Sequence, residues 1–122
     1  MITPTFLIQV MKFSKYTNKD SIHFLPKNIS SSKEAIQFLA FSLSQQHEPL
    51  NQEIFEGAVL EREKIVSTGI GMGIALPHAR LDNLPNFYVA VGIHKEGLDW
   101  HSLDQEPVHI IFLIAGPENQ QT

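Results

Sequence analysis

The stretch from residue 108 to residue 115, Val-His-Ile-Ile-Phe-Leu-Ile-Ala, is the strongest constraint on how this chain can fold. It is apolar on both sides of any extended arrangement and is far too short to cross a bilayer. A segment of this kind is a strand buried on both faces, and such a strand needs other layers against it. Gly116 and Pro117 follow and are expected to break it. Residues 87–93 form a second strand candidate. Phe87, Val89, Val91 and Ile93 share one face, and Tyr88, Ala90 and Gly92 share the other. Gly92 within it signals a bulge or close packing. Residues 6–11 and 22–25 are shorter strand candidates.

The helical patterns lie between these strands. Ser31 with Glu34 three residues on fits a capping box, and Ile36, Leu39, Ala40 and Leu43 follow at helical spacing. Residues 44–49 read as the exit. Asn51 is the expected N-cap of a second helix, with Glu53 near its positive end. Ile54, Phe55, Ala58, Val59 and Arg62 are expected on one side of that helix, and the charged run 61–64 closes it. Two amphipathic helices among several strands predict one α/β domain, a mixed β-sheet with helices on both faces. Few helical residues follow the doubly buried strand, so cover for one face is expected to be missing at the C-terminal end.

Several function classes are set aside by composition. The 122 residues include no cysteine, which removes disulfides, thiolate catalysis and cysteine-ligated zinc. The net charge is −4 and the lysines and arginines are scattered, so no basic stripe for nucleic acid is expected. The apolar opening residues 1–11 lack a basic region and a cleavage site, and no direct membrane insertion is expected. These features fit a cytoplasmic location.

The chemistry concentrates in residues 67–80, Ser-Thr-Gly-Ile-Gly-Met-Gly-Ile-Ala-Leu-Pro-His-Ala-Arg. Gly69, Gly71 and Gly73 let backbone N–H groups approach a ligand and permit positive φ. A concave run of amides favours an anion such as phosphate. Ser67 and Thr68 add hydroxyls, so these five residues are the expected phosphoryl-binding set. Pro77 stiffens the backbone before His78, and an imidazole titrates near neutrality, so a ring nitrogen is available as a nucleophile. Arg62 and Arg80 are the nearby cations. A glycine-rich run is also what a plain tight turn needs, and a lone histidine is more often surface or core than nucleophile. Spacing alone gives an α/β domain with a candidate anion site. The remaining histidines, His23, His47, His94, His101 and His109, match no metal-ligand spacing, so no metal is expected. His94 and His101 fall near loop ends, from which either could turn into the pocket. His109 reads as packed or hydrogen-bonded, Trp100 as core, and Asp99 and Asp104 as turn residues.

Glu61-Arg62-Glu63, then Ser67-Thr68-Gly69-Ile70-Gly71, then Gly73-Ile74-Ala75-Leu76-Pro77-His78 resemble the signature of the fructose/mannitol class of enzyme IIA domains of the sugar phosphotransferase system, including its nitrogen-regulatory branch. Gly57-Ala58-Val59-Leu60 is similar to the family's helix ahead of the motif. Residues 98–108 are similar to its short loop and 108–117 to its next strand, so from about Phe6 onward the chain can be laid on the family. The resemblance implies a single enzyme IIA type-2 domain over 1–122. It implies a phosphohistidine carrier, with His78 as catalytic acceptor, Arg62 beside it and the Thr68 region lining the pocket. The implied donor is the phosphocarrier protein HPr. The implied recipient is an enzyme IIB domain, or a regulated protein whose behaviour follows the phosphorylation state; no cofactor is implied. The phrase 67–73 looks closer to the nitrogen-regulatory branch. The family's second active-site histidine falls just after the segment matching 116–122, at the start of a further helix. The domain is therefore expected to be C-terminally incomplete, and an inactive fragment or a non-catalytic regulatory binding module is the alternative reading.

Overall fold

The computed structural model describes residues 17–118. A 3-10 turn, Lys19–Ser21, leads into β1 (Ile22–Phe24). Helices α1 (Ser32–Gln46) and α2 (Gln52–Ile65) follow, and then β2 (Gly69–Gly71), β3 (Ile74–Ala75), β4 (His78–Leu81), β5 (Tyr88–Leu98) and β6 (Val108–Pro117). The expected strand at 6–11 lies outside the described residues.

Both helices start where local chemistry directs. The Ser31 hydroxyl accepts from the Glu34 N–H at 3.1 Å. The Glu34 carboxylate does not return to Ser31 N–H as a reciprocal box would require. It accepts from the N–H of Ser30 at 2.8 Å and from the Ser30 hydroxyl at 3.0 Å, one residue further out. Asn51 caps α2 by accepting from Ile54 N–H at 3.0 Å. Ala35, Ile36, Leu39, Ala40 and Leu43 form the buried stripe of α1. In α2 only Phe55 and Val59 are buried, whereas Ile54 is 62% exposed. Ile54 stands about 100° round the helix from Phe55, which takes it off the inward face.

The six strands form one mixed sheet in the order β1-β5-β6-β3-β2, with β4 also on β6. Strand β6 is its centre. It runs antiparallel to β5 along one side. Its other side is shared in sequence by β3, which pairs at Ile110 and Ile111, and by β4, which pairs from Ile114 to Pro117, both parallel. β6 thus continues through Gly116 and Pro117 rather than breaking there. The proline closes the ladder where its missing donor costs nothing, since Glu118 N–H reaches Leu81 O at 3.2 Å instead. Gly116 is required because the Phe87 ring crosses it, 2.5 Å from where a Cβ would stand.

The expectation of burial on both faces holds for the second half of β6 only: Ile110 is 38% exposed and Phe112 is half-buried. Ile111, Leu113 and Ala115 enter a core shared with α1, α2 and Trp100. Ile114 enters a second cluster with Val89 and Val91, against which Phe87 and Phe112 pack. Both described helices contribute to the first cluster, and no described helix contributes to the second. Gly92 is a site of close packing: a Cβ there would lie 2.9 Å from Leu39 Cδ1, so α1 rests directly on the sheet. The irregularity of β5 falls later, between Ile93 and Leu98.

Candidate functional site

Strand β4 begins at His78, and the residues before it hold that start firmly. Pro77 is fully buried, and its carbonyl accepts from Ile114 N–H at 3.0 Å. Leu76 N–H donates to Thr68 O at 3.0 Å. The Leu76 carbonyl in turn meets His78 Nδ1 at 2.8 Å. A carbonyl oxygen can only accept, so the ring proton sits on Nδ1. In the neutral ring Nε2 then carries the free in-plane lone pair. The ring is half-buried, on a rigid strand start, with one nitrogen committed and the other nucleophilic.

Thr68 is the hub of the segment before it. It is 4% exposed. Its N–H donates to Glu63 Oε2 at 2.8 Å and its hydroxyl donates to Glu63 Oε1 at 2.6 Å. The same hydroxyl accepts from the indole Nε1–H of Trp100 at 3.1 Å. Ser67 does the parallel task next door. Its hydroxyl donates to Trp100 O at 2.5 Å and accepts from Gly69 N–H at 3.0 Å. Two hydroxyls and one amide expected to face a phosphoryl group are therefore engaged in joining α2, β2 and the loop at Trp100.

The glycine run is divided by the sheet register. Ile74 pairs with Ile110 and His78 with Ile114, four positions on along β6. At about 3.3 Å per residue that separation is about 13 Å. Gly71 (φ +95), Met72 (φ +60) and Gly73 (φ +80) turn the β2–β3 hairpin at the far end. There Gly73 O accepts from the N–H groups of His109 and Ile110, and Met72 N–H donates to Asp104 Oδ2 at 2.9 Å. The structure brings Ser67 and Thr68 towards the His78 end and does not bring Gly71 or Gly73 there. These two glycines serve the reversed turn, and Gly69 allows Ser102 to close on the strand.

Arg62 lies in the last turn of α2, half-buried, with Nη1 donating to Val66 O at 2.9 Å. A guanidinium has five N–H donors. That bond to Val66 is its only hydrogen bond among the described residues, so the group is anchored without being saturated. Arg62 and His78 share no hydrogen bond among the described residues. The other histidines are elsewhere. His94 is buried, with Nε2 on Ile29 O at 2.8 Å and Nδ1 accepting from Gly97 N–H at 3.0 Å. His101 is exposed beside Asp99, His109 Nδ1 is 3.1 Å from His94 O, His47 packs on Tyr88, and His23 stands edge-on to Phe38. Burial lowers the pKa of both His23 and His47. Among the described residues no three His, Asp or Glu side chains converge to hold a metal ion, and no helix is long and apolar enough to cross a membrane. Sequence reasoning missed Glu63 as a partner of Thr68. Its place beside Arg62 in the charged run was the visible signal, but that run reads equally as a solvated helix end.

Comparison with known proteins adds a family to this geometry. The family model for "Phosphoenolpyruvate-dependent sugar phosphotransferase system, EIIA 2" matches residues 15–122. The chain is 36% identical over 110 residues to a "PTS system fructose-specific EIIABC component" of Bacillus subtilis, covering 88% of this chain and 17% of that protein. It is 32% identical over 90 residues to a "Nitrogen regulatory protein" of Bradyrhizobium diazoefficiens, covering 74% of this chain and 58% of that protein. Among solved structures, "Nitrogen Regulatory Protein IIA-Ntr from Neisseria meningitidis" superposes with a TM-score of 0.78 at 26% identity, over 88% of this chain and 73% of that one.

Proposed function

Since the chain belongs to the EIIA 2 family of the phosphoenolpyruvate-dependent sugar phosphotransferase system, we propose that it is a phosphocarrier whose acceptor atom is Nε2 of His78. One observation carries the reading: the Leu76 carbonyl holds the ring proton on Nδ1, which leaves Nε2 unprotonated and fixed in direction. In the transfer, the Nε2 lone pair forms a bond to phosphorus as the phosphorus–nitrogen bond of an incoming phosphohistidine breaks in line. The electron pair of that bond returns to the donor imidazole. The proton of His78 stays on Nδ1, donated to Leu76 O throughout, so the step needs no base on this chain. Transfer of this kind depends on positioning and charge stabilisation. Arg62 is the cation we assign to the equatorial oxygens, on the strength of its uncommitted guanidinium N–H donors.

The donor in this reading is an HPr-like phosphocarrier protein, and the recipient an enzyme IIB domain. The name of the Bacillus subtilis relative, an EIIABC component, supports that recipient by joining A, B and C parts in one protein. A second reading is that the phosphoryl group is a signal read by a regulated protein; the likeness to nitrogen regulatory proteins favours it. The chain spans 17% and 58% of the lengths of the two relatives named above, so either role concerns the site and not a whole transport system.

The test is intact-mass analysis after incubation with phosphorylated HPr, for the parent and for His78→Ala. One acid-labile phosphoryl group on the parent and none on the variant is the expected result. Equal labelling of a folded His78→Ala protein would overturn the assignment. Discharge of the labelled parent by a IIB domain separates transport from signalling.

A further inference from the structure

His78 does not choose its own tautomer. Its Nδ1 proton is held by Leu76 O, and Leu76 is held through its own N–H by Thr68 O. Thr68 is fixed by its N–H and its hydroxyl to the two carboxylate oxygens of Glu63, and by the same hydroxyl to the indole of Trp100. The bonds form one unbroken series from a helix-end carboxylate to the imidazole. Every link is 3.1 Å or shorter.

We propose that Glu63 is the positioning residue of the site, acting through Thr68 and Leu76 to hold His78 as the Nδ1–H tautomer with Nε2 presented outward. The proposal rests on the reading of His78 as acceptor and deepens it. The bidentate grip is the reason to single out Glu63. A single bond to Thr68 would leave that residue free to rotate about the bond, whereas bonds to both its N–H and its side chain fix its carbonyl direction. That carbonyl is the acceptor for Leu76 N–H, and the Leu76 carbonyl is the acceptor for the ring. Trp100 completes the grip by donating to one of the two acceptor lone pairs of the Thr68 hydroxyl. The series is geometric. Successive bonds pass through different peptide units, so the carboxylate acts by fixing direction and not by relaying charge.

The experiment reads the tautomer directly. Protein labelled with 15N-histidine is studied by long-range proton–nitrogen correlation at a pH where the ring is neutral, with His78→Ala assigning the His78 signals. The parent is expected to show one tautomer, Nδ1–H. Glu63→Ala is expected to show exchange between both tautomers and a phosphoryl acceptance rate lower by roughly 10-fold, within the range that misplacement of a reacting group produces. Glu63→Gln retains the shape and one acceptor oxygen and is expected between the two. A folded Glu63→Ala protein that keeps a single Nδ1–H tautomer overturns the proposal. Should Glu63→Ala not fold, Glu63→Gln and Trp100→Phe decide it by the same signals, an unchanged tautomer in both counting against it. The tautomer is read without any phosphoryl donor. Absence of phosphoryl transfer in the parent therefore overturns the phosphocarrier reading while leaving the positioning result to stand or fall by itself.

Discussion

Leu39 occupies the space that a side chain at Gly92 would need: a Cβ there would be 2.9 Å from Leu39 Cδ1 and 3.3 Å from Cδ2. Leu39 is fully buried in the middle of α1, so it has no open space to move into. Gly92→Val is therefore expected to lift α1 from β5 and to destabilise the protein by about 1–3 kcal/mol, the usual range for overpacking a core. Urea unfolding checks this as a fall in midpoint, with Leu39→Ala restoring part of the loss in the double variant.

A second glycine is coupled to a more distant residue. A Cβ at Gly69 would overlap the Ser102 hydroxyl, and that hydroxyl is buried with no hydrogen-bond partner among the described residues. Gly69→Ala alone should be strongly destabilising, and Ser102→Gly alone should be mild, because it removes an unpartnered polar atom. Combined, they should lose less than their sum. A coupling of about 1 kcal/mol or more in a double-mutant cycle is the expected result, and strict additivity would show that the two residues do not meet.

These two glycines also show what a sequence can disclose. The stripe of α1 and the central place of β6 were legible because each is a local pattern: Ile36, Leu39, Ala40 and Leu43 recur at helical spacing, and residues 108–115 are apolar but for His109, whereas the exposure of Ile110 depends on what packs over that face. His78 after Pro77 stood out because an ordered motif surrounds it, and the structure places it at the start of β4. The partners of Ser67 and Thr68 were not legible. Trp100 is 32 positions from Thr68, and no local pattern says that the hydroxyl of one will accept from the indole of the other. Gly71 and Gly73 read as an anion cradle because close backbone approach and a reversed turn ask for the same residue. Only the register of β3 and β4 on β6 separates the two uses.

Asp104 gives a prediction in pH. Its carboxylate accepts from the N–H groups of Met72 and Glu106, and those bonds hold its pKa below the usual carboxylate value. A lowered folded-state pKa means that the contribution is present above the unfolded value and is lost as pH falls through the folded one. The Met72 amide resonance should therefore stay constant through the ordinary carboxylate range on acidification and move only below it. In Asp104→Asn that low-pH step should vanish. A Met72 amide that titrates at the ordinary aspartate value would contradict the assignment.

Trp100 is the single tryptophan of the chain and is 2% exposed, so its fluorescence reports on the segment that leads to His78. Emission should be that of a buried indole and should move to longer wavelength on unfolding. Trp100→Phe removes the Nε1–H donor to Thr68 and reduces the packed volume. The lost hydrogen bond is expected to cost about 1 kcal/mol and the lost volume somewhat more. Calorimetry should show a lower Tm with the transition still cooperative.

The last prediction concerns Arg62, to which the proposed function assigns a second task beside its place at the end of α2. Its Nη1 binds Val66 O at the end of α2, where a cation meets the negative end of the helix. A lysine can supply that charge, so Arg62→Lys should change stability by no more than a few tenths of a kcal/mol. Holding the oxygens of a phosphoryl group on His78 needs the planar fork as well, because a guanidinium can anchor to Val66 and still present parallel donors, whereas an ammonium cannot match that geometry. Arg62→Lys is therefore expected to be nearly as stable as the parent and yet to accept phosphoryl groups several-fold more slowly. Arg62→Ala should lose about 0.5–1 kcal/mol of stability and about 10-fold in rate. Parallel denaturation and single-turnover phosphorylation of the two variants make the comparison. If Arg62→Lys transfers at the parental rate, the arginine is a helix cap alone, and charge balance at His78 must come from the protein that docks there.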